Sequence, residues 1–142
     1  MIYLDTSFLT PLFRAESVSK RIESFLAVQS PGALAISQWT RVEFASVLAR
    51  DVRMKIIDKA SARKLLEEFD ALAEESLHVL IPAAPDFGLA RDFVADFATR
   101  LRGPDALHLA IARNNDAEEI LTLDADLLAA AKVLKIKARR GI

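Results

Sequence analysis

The chain predicts an α/β fold, a central parallel sheet flanked by helices, from three observations. Short apolar runs at residues 1–4, 33–36, 77–81, 119–123 and 133–137 alternate with longer segments whose apolar residues recur at helical spacing. Strands that alternate with helices pair in parallel through crossover connections. At 142 residues and 52% hydrophobic composition, the chain is expected to form one domain (residues 1–142) able to cover both sheet faces.

The elements follow in order. Residues 1–4 read as a short buried strand, and Asp5-Thr6-Ser7 as the turn leaving it. A helix is expected over 17–28, with Val18, Ile22, Phe25 and Leu26 on one stripe. Pro31-Gly32 breaks the chain before a strand at 33–36, and Ser37 caps a long helix to about Arg53. Val42, Ala45 and Ala49 lie on one face of that helix and Phe44, Val47 and Leu48 on another, a wide apolar surface that implies burial between neighbours. Asp58 caps the next helix, to about Glu75, with Leu65, Leu66, Phe69 and Leu72 as its stripe. After the strand at 77–81, stopped by Pro82, Asp86 opens a helix carrying Leu89, Ala90, Phe93, Val94 and Phe97. Gly103-Pro104 restarts the chain as a helix with Pro104 at its first position, and Asn114-Asn115 ends it. A strand at 119–123, a short helix at 126–132 and a last strand at 133–137 complete the list.

Composition narrows the chemistry. There is no cysteine, which removes disulfides, thiolate zinc sites and cysteine nucleophiles together. His78 and His108 are too separated for a zinc spacing. The apolar runs are shorter than a membrane span and the N-terminus lacks a basic leader, so a cytoplasmic location is expected. Net charge is −1, with a basic tail of Lys132, Lys135, Lys137, Arg139 and Arg140, and with Arg100 and Arg102 before Asp105. These cations are candidates for the phosphates of a polyanionic partner, and the tail reads equally as a solvated, edge-blunting strand end.

Four acids sit where a strand runs out or a helix begins. Asp5 ends the first strand, Glu43 lies early in the helix after Ser37, Asp105 follows Gly103-Pro104, and Asp124 ends the run Ile120-Leu121-Thr122-Leu123. Carboxylates at the carboxyl ends of parallel strands converge in one crevice, where a hard divalent cation relieves their repulsion. The expectation is a metal-dependent phosphodiester cutter. Asp5 is read as a ligand rather than a cap, because Thr6 and Ser7 could cap in its place. Glu43 has no basic residue at helical pairing distance and interrupts an apolar helix, so a metal is the expected partner. Asp105 also suits the first helical turn on electrostatic grounds alone, and His108, one turn on, could bond Asp105, support the site or touch RNA. Asp124 is preferred to Asp126 as the fourth acid, with Asp126 peripheral; Thr6, Ser7 and Thr122 supply supporting hydroxyls.

Together these pieces resemble a PIN-domain ribonuclease of the VapC toxin type. The resemblance rests on Tyr3-Leu4-Asp5-Thr6-Ser7, on residues 37–43, on Gly103-Pro104-Asp105-Ala106-Leu107-His108-Leu109-Ala110 and on Leu121-Thr122-Leu123-Asp124, in the family's order across nearly the whole chain. It implies a three-layer PIN-like domain and an acidic site for Mg²⁺ or Mn²⁺ built from Asp5, Glu43, Asp105 and Asp124. It also implies RNA as substrate, cleavage to a 5′-phosphate and a 3′-hydroxyl, a homodimer, and a cognate antitoxin that wraps the toxin. Pro104 departs from the small residue that many relatives carry before the aspartate.

Two rivals stand beside this reading. A haloacid-dehalogenase-type phosphatase would use Asp5 as a covalent nucleophile, but it wants a second aspartate two residues later, where this chain has Ser7. A catalytically silent RNA- or protein-binding module of the same fold would carry these acids as caps and surface. The apolar helices at 38–53 and 58–75 could offer such a module, or a nuclease, a dimer or antitoxin surface; their ordinary reading is core.

Overall fold

The computed structural model describes residues 1–14 and 16–142. Five parallel strands, β1 (Ile2–Leu4), β2 (Leu34–Ser37), β3 (His78–Leu80), β4 (Glu119–Leu121) and β5 (Ala138–Arg139), lie in the order β3-β2-β1-β4-β5. The helices among the described residues are α1 (Thr6–Leu9), α2 (Ser19–Ala27), α3 (Gln38–Arg53), α4 (Lys59–Ser76), α5 (Ala84–Ala95), α6 (Gly103–Asn114) and α7 (Ala125–Val133), with a 3₁₀ turn at Thr10–Leu12. Among the described residues no helix is long and apolar enough to cross a membrane.

Each central strand divides its side chains between two cores. Tyr3, Ala35 and Ile120 join Leu109, Ile111 and Leu127 on one face. Their strand neighbours Leu4, Ile36 and Leu121 join Phe8, Ile22, Phe44 and Phe69 on the other. This is the period-2 alternation of a strand buried on both sides. The chain steps outward from β1 through β2 to β3, then returns across α5 and α6 to place β4 on the opposite flank of β1. The reversal beside β1 is where an open parallel sheet leaves a crevice at its carboxyl edge.

Several elements differ from expectation for local reasons. Residues 6–9 form a helix rather than a turn, because the Asp5 carboxylate caps it. α7 is capped by Asp124 through the amides of Asp126 and Leu127, so Asp126 falls inside the helix rather than at its start. The last strand begins at Ala138, since α7 runs to Val133 and Lys135 takes a positive φ of 55°. Phe97 lies beyond α5 and is 87% exposed. In α3 one face is buried, carrying Phe44 and Leu48, while Val42 and Ala49 face solvent. Pro104 takes the second position of α6, where it still displaces no intrahelical N–H bond.

Candidate active site

The carboxyl ends of β1 and β4, one face of α3 along its length and the N-terminal end of α6 surround one cleft of about 710 Å³. Asp5, Glu43, Asp105 and Asp124 all line it, with Thr6, Ser7, Trp39 and Pro104. Residues separated by over a hundred positions thus meet because β1 pairs with β4, Leu4 lying opposite Leu121.

Asp5 is buried, and its Oδ2 accepts from Ser7 Oγ at 2.5 Å, Thr122 Oγ1 at 2.7 Å and the Ser7 amide at 3.3 Å. Capping and site membership are therefore compatible. One oxygen takes the cap and hydroxyl bonds, while Oδ1 faces His108 Nε2 at 3.3 Å. Thr6 Oγ1 donates to Glu43 Oε2 at 2.6 Å, so each hydroxyl expected in support has a carboxylate to orient. Asp124 resembles Asp5 in dividing its work. Its Oδ1 caps α7 through the amides of Asp126 (2.7 Å) and Leu127 (3.1 Å), which leaves Oδ2 for the cleft.

Glu43 has a partner that local helix spacing does not contain. His108, fully buried on α6, hydrogen-bonds Glu43 through Nε2 and Tyr3 Oη through Nδ1 at 2.8 Å. Tyr3 Oη in turn meets Ser37 Oγ at 2.8 Å. Burial by itself would lower the His108 pKa; the Tyr3 oxygen, the Glu43 hydrogen bond and the charges of Asp5 and Glu43 outweigh it and raise it above the ordinary value. As imidazolium, His108 donates from both nitrogens and neutralises one carboxylate's worth of charge. Its contacts are to Asp5 and Glu43 rather than Asp105, and at zero exposure it cannot touch RNA.

Asp105 is half-buried, and its pKa is pushed up to about 6 by burial first, then by the charges of Asp124, Asp5 and Glu43. One imidazolium thus leaves the four carboxylates with excess negative charge. Hard oxygen donors in excess of local cations suit Mg²⁺ or Mn²⁺, and Asp5 and Glu43 bring carboxylate oxygens within 4.8 Å of one another, with His108 between them as a hydrogen-bond donor rather than a ligand. The structure gathers the four expected acids and Thr6, Ser7 and Thr122. Asp126 is exposed and is not among the cleft's lining residues, because its position in the first turn of α7 turns it outward.

The expected cations are not those found at the cleft. Arg100 and Arg102 do not line it, and in the tail Arg139 and Lys137 pair with Glu119. Arg14, Arg50 and Arg53 line it instead. Of these, Arg50 and Arg53 were legible as helical repeats after Glu43; Arg14 had no sequence signal.

The PIN domain family profile matches residues 2–133. No curated protein matches the chain. Similar solved structures include the toxin VapC20 from Mycobacterium tuberculosis, at 20% identity and TM-score 0.72, covering 92% of this chain and 95% of that one. VapBC-1 from nontypeable Haemophilus influenzae shows 16% identity and TM-score 0.72, covering 99% and 98%. FitAcB from Neisseria gonorrhoeae shows 16% identity and TM-score 0.69, again covering 99% and 98%.

Proposed function

Because the chain belongs to the PIN-domain family, we propose that it is a metal-dependent endoribonuclease and the toxin of a toxin–antitoxin pair. The observation that carries the reading is the convergence of Asp5, Glu43, Asp105 and Asp124 in one cleft at the switch point of the sheet. These four would hold one or two Mg²⁺ or Mn²⁺ ions. A bound ion would supply acidification of a water and compensation of charge on the attacked phosphate.

The chain's own residues do the rest. Ser7 and Thr122 fix the Asp5 carboxylate, and Thr6 with His108 fixes Glu43, so the acids are held before substrate arrives. No side-chain nucleophile is needed, and attack by water leaves a 5′-phosphate and a 3′-hydroxyl. RNA as substrate is supported by the description of VapC20 as a sarcin–ricin loop cleaving toxin. An antitoxin partner is supported by the VapBC-1 likeness. A homodimer belongs to the same reading.

One observation favours the catalytically silent module: His108 already neutralises part of the Asp5–Glu43 charge. The two readings part in one assay. Purified protein is incubated with total RNA, with Mn²⁺ or with EDTA, beside Asp5→Asn, and the new ends are sequenced. Cleavage in Mn²⁺ alone, lost in the variant, is expected; cleavage that survives EDTA or Asp5→Asn overturns the mechanism, and none at all favours the silent module.

A further inference from the structure

Asp51 is a buried charge that the acidic cleft does not use. It lies in the last turn of α3 at 1% exposure, and among the described residues its Oδ1 has no hydrogen bond. A buried carboxylate so poorly bonded is expensive unless cations face it. Two do. Arg14 Nε stands 3.5 Å from Oδ2, and Arg50 Nε stands 3.7 Å from Oδ1.

Both arginines line the same cleft as the four acids, with Arg53 beside them. Asp51 approaches each guanidinium at Nε, which leaves the terminal amino groups as the fork that matches phosphate oxygens. On α3 the cleft-lining residues Glu43, Ser46, Val47, Arg50 and Arg53 form one helical stripe. At 1.5 Å of rise per residue, Arg50 and Arg53 lie about 10 and about 15 Å along the axis from Glu43. The cleft therefore leads from a metal-suited acidic end to a cationic end.

We infer that Asp51 is a positioning residue which holds Arg14 and Arg50 on the cleft wall as a clamp for RNA backbone phosphates flanking the bond to be cut. The inference rests on the nuclease reading and deepens it. A free pair of arginines would lose side-chain entropy on gripping a phosphate; the buried carboxylate orders them beforehand.

Charge gives the test a sign. If Asp51 were only a nearby anion, Asp51→Asn would tighten RNA binding by removing repulsion. As a positioning residue, it must weaken binding when replaced. Binding of a labelled, mixed-sequence single-stranded oligoribonucleotide is titrated against salt in the Asp105→Asn background, so the result stands whether or not the protein cuts RNA. The expected result is that Asp51→Asn, Arg14→Gln and Arg50→Gln each weaken binding roughly three- to tenfold at low salt, and that each arginine change lowers the salt slope by about 0.7. Arg63→Gln, on the exposed face of α4, serves as the charge control and is expected to change binding less. In the cleaving protein the two arginine variants raise KM more than they lower kcat. Tighter binding by Asp51→Asn, or an unchanged salt slope for both arginine variants, overturns the inference. Should Asp51→Asn fail to fold, the two arginine variants decide it alone.

Discussion

At the scale of single residues, Asp105 shows how gathering acids in one cleft destabilises the protein that carries them. Its carboxyl titrates near 6 because burial and three neighbouring acids oppose its charge. An acid whose folded pKa is raised takes stability away as pH climbs from the ordinary carboxylate range through the folded value. Asp105→Asn should therefore raise the melting temperature of the metal-free protein at about pH 7.5, and the gain should vanish by about pH 3, below the ordinary value of 3.8, where the native carboxyl is protonated in both states. Thermal melts in EDTA at the two pH values check this. Under the proposed nuclease function the same variant should also lose RNA cleavage, which separates that role from its effect on stability. His108 belongs to this scale as well. Position 108 reads locally as a lone histidine among Leu107, Leu109 and Ala110. Only the packing of α6 over Tyr3 makes it the partner of two carboxylates.

At the scale of elements, α3 connects the sheet to the chemistry, and Ser37 sets its start. Ser37 and Thr40 form a reciprocal capping box, and Ser37 Oγ also meets Tyr3 Oη, which carries His108. Ser37→Ala should cost about 1–2 kcal/mol in urea unfolding, from the lost cap and the broken buried hydrogen bond. Cleavage should fall further than that loss of stability explains, because Glu43 sits two turns into the helix that Ser37 aims. The far face of α3 is held by Phe44 stacked on Phe69 at 4.2 Å between centroids and 15° between planes. Element existence was legible in periodicity and caps: Ser37, Asp58 and Gly103-Pro104 start helices close to where turn chemistry puts them. At the misplaced ends, residues 6–9, 97 and 133–137, the boundary features are the Asp5 cap, the Thr99 hydroxyl donating to the Phe93 carbonyl, and the positive φ of Lys135.

At the scale of the whole molecule, one sheet positions everything, so its edges matter to the site at its centre. β5 is tied to β4 by the paired hydrogen bonds from Arg139 Nε and Nη2 to Glu119, both at 2.8 Å. The hydrogen bond from Arg139 holds the Glu119 pKa below the usual range. Its stabilisation is present above the unfolded carboxyl's pKa and is lost as pH falls through the folded one. Glu119→Gln should thus lower the melting temperature at neutral pH, and the difference from the native chain should close in acid; melts from neutral pH down to about pH 3 check it. This pairing is also why the basic tail, legible as a cluster in the sequence, serves the sheet edge rather than the cleft.

The amino-acid sequence by itself determined the alternation of strands and helices, the parallel sheet that follows from it, and the four acids at strand ends and helix starts. Those features depend on local periodicity, caps and breaks, which neighbouring residues encode. Tertiary structure alone decided that His108 bridges Asp5 and Glu43, that Asp51 gathers Arg14 and Arg50, and that Asp126 stays outside. Each of these depends on the distance between residues far apart in the chain or on the rotation of a helix about its axis, and both are set by how the two cores pack against the sheet.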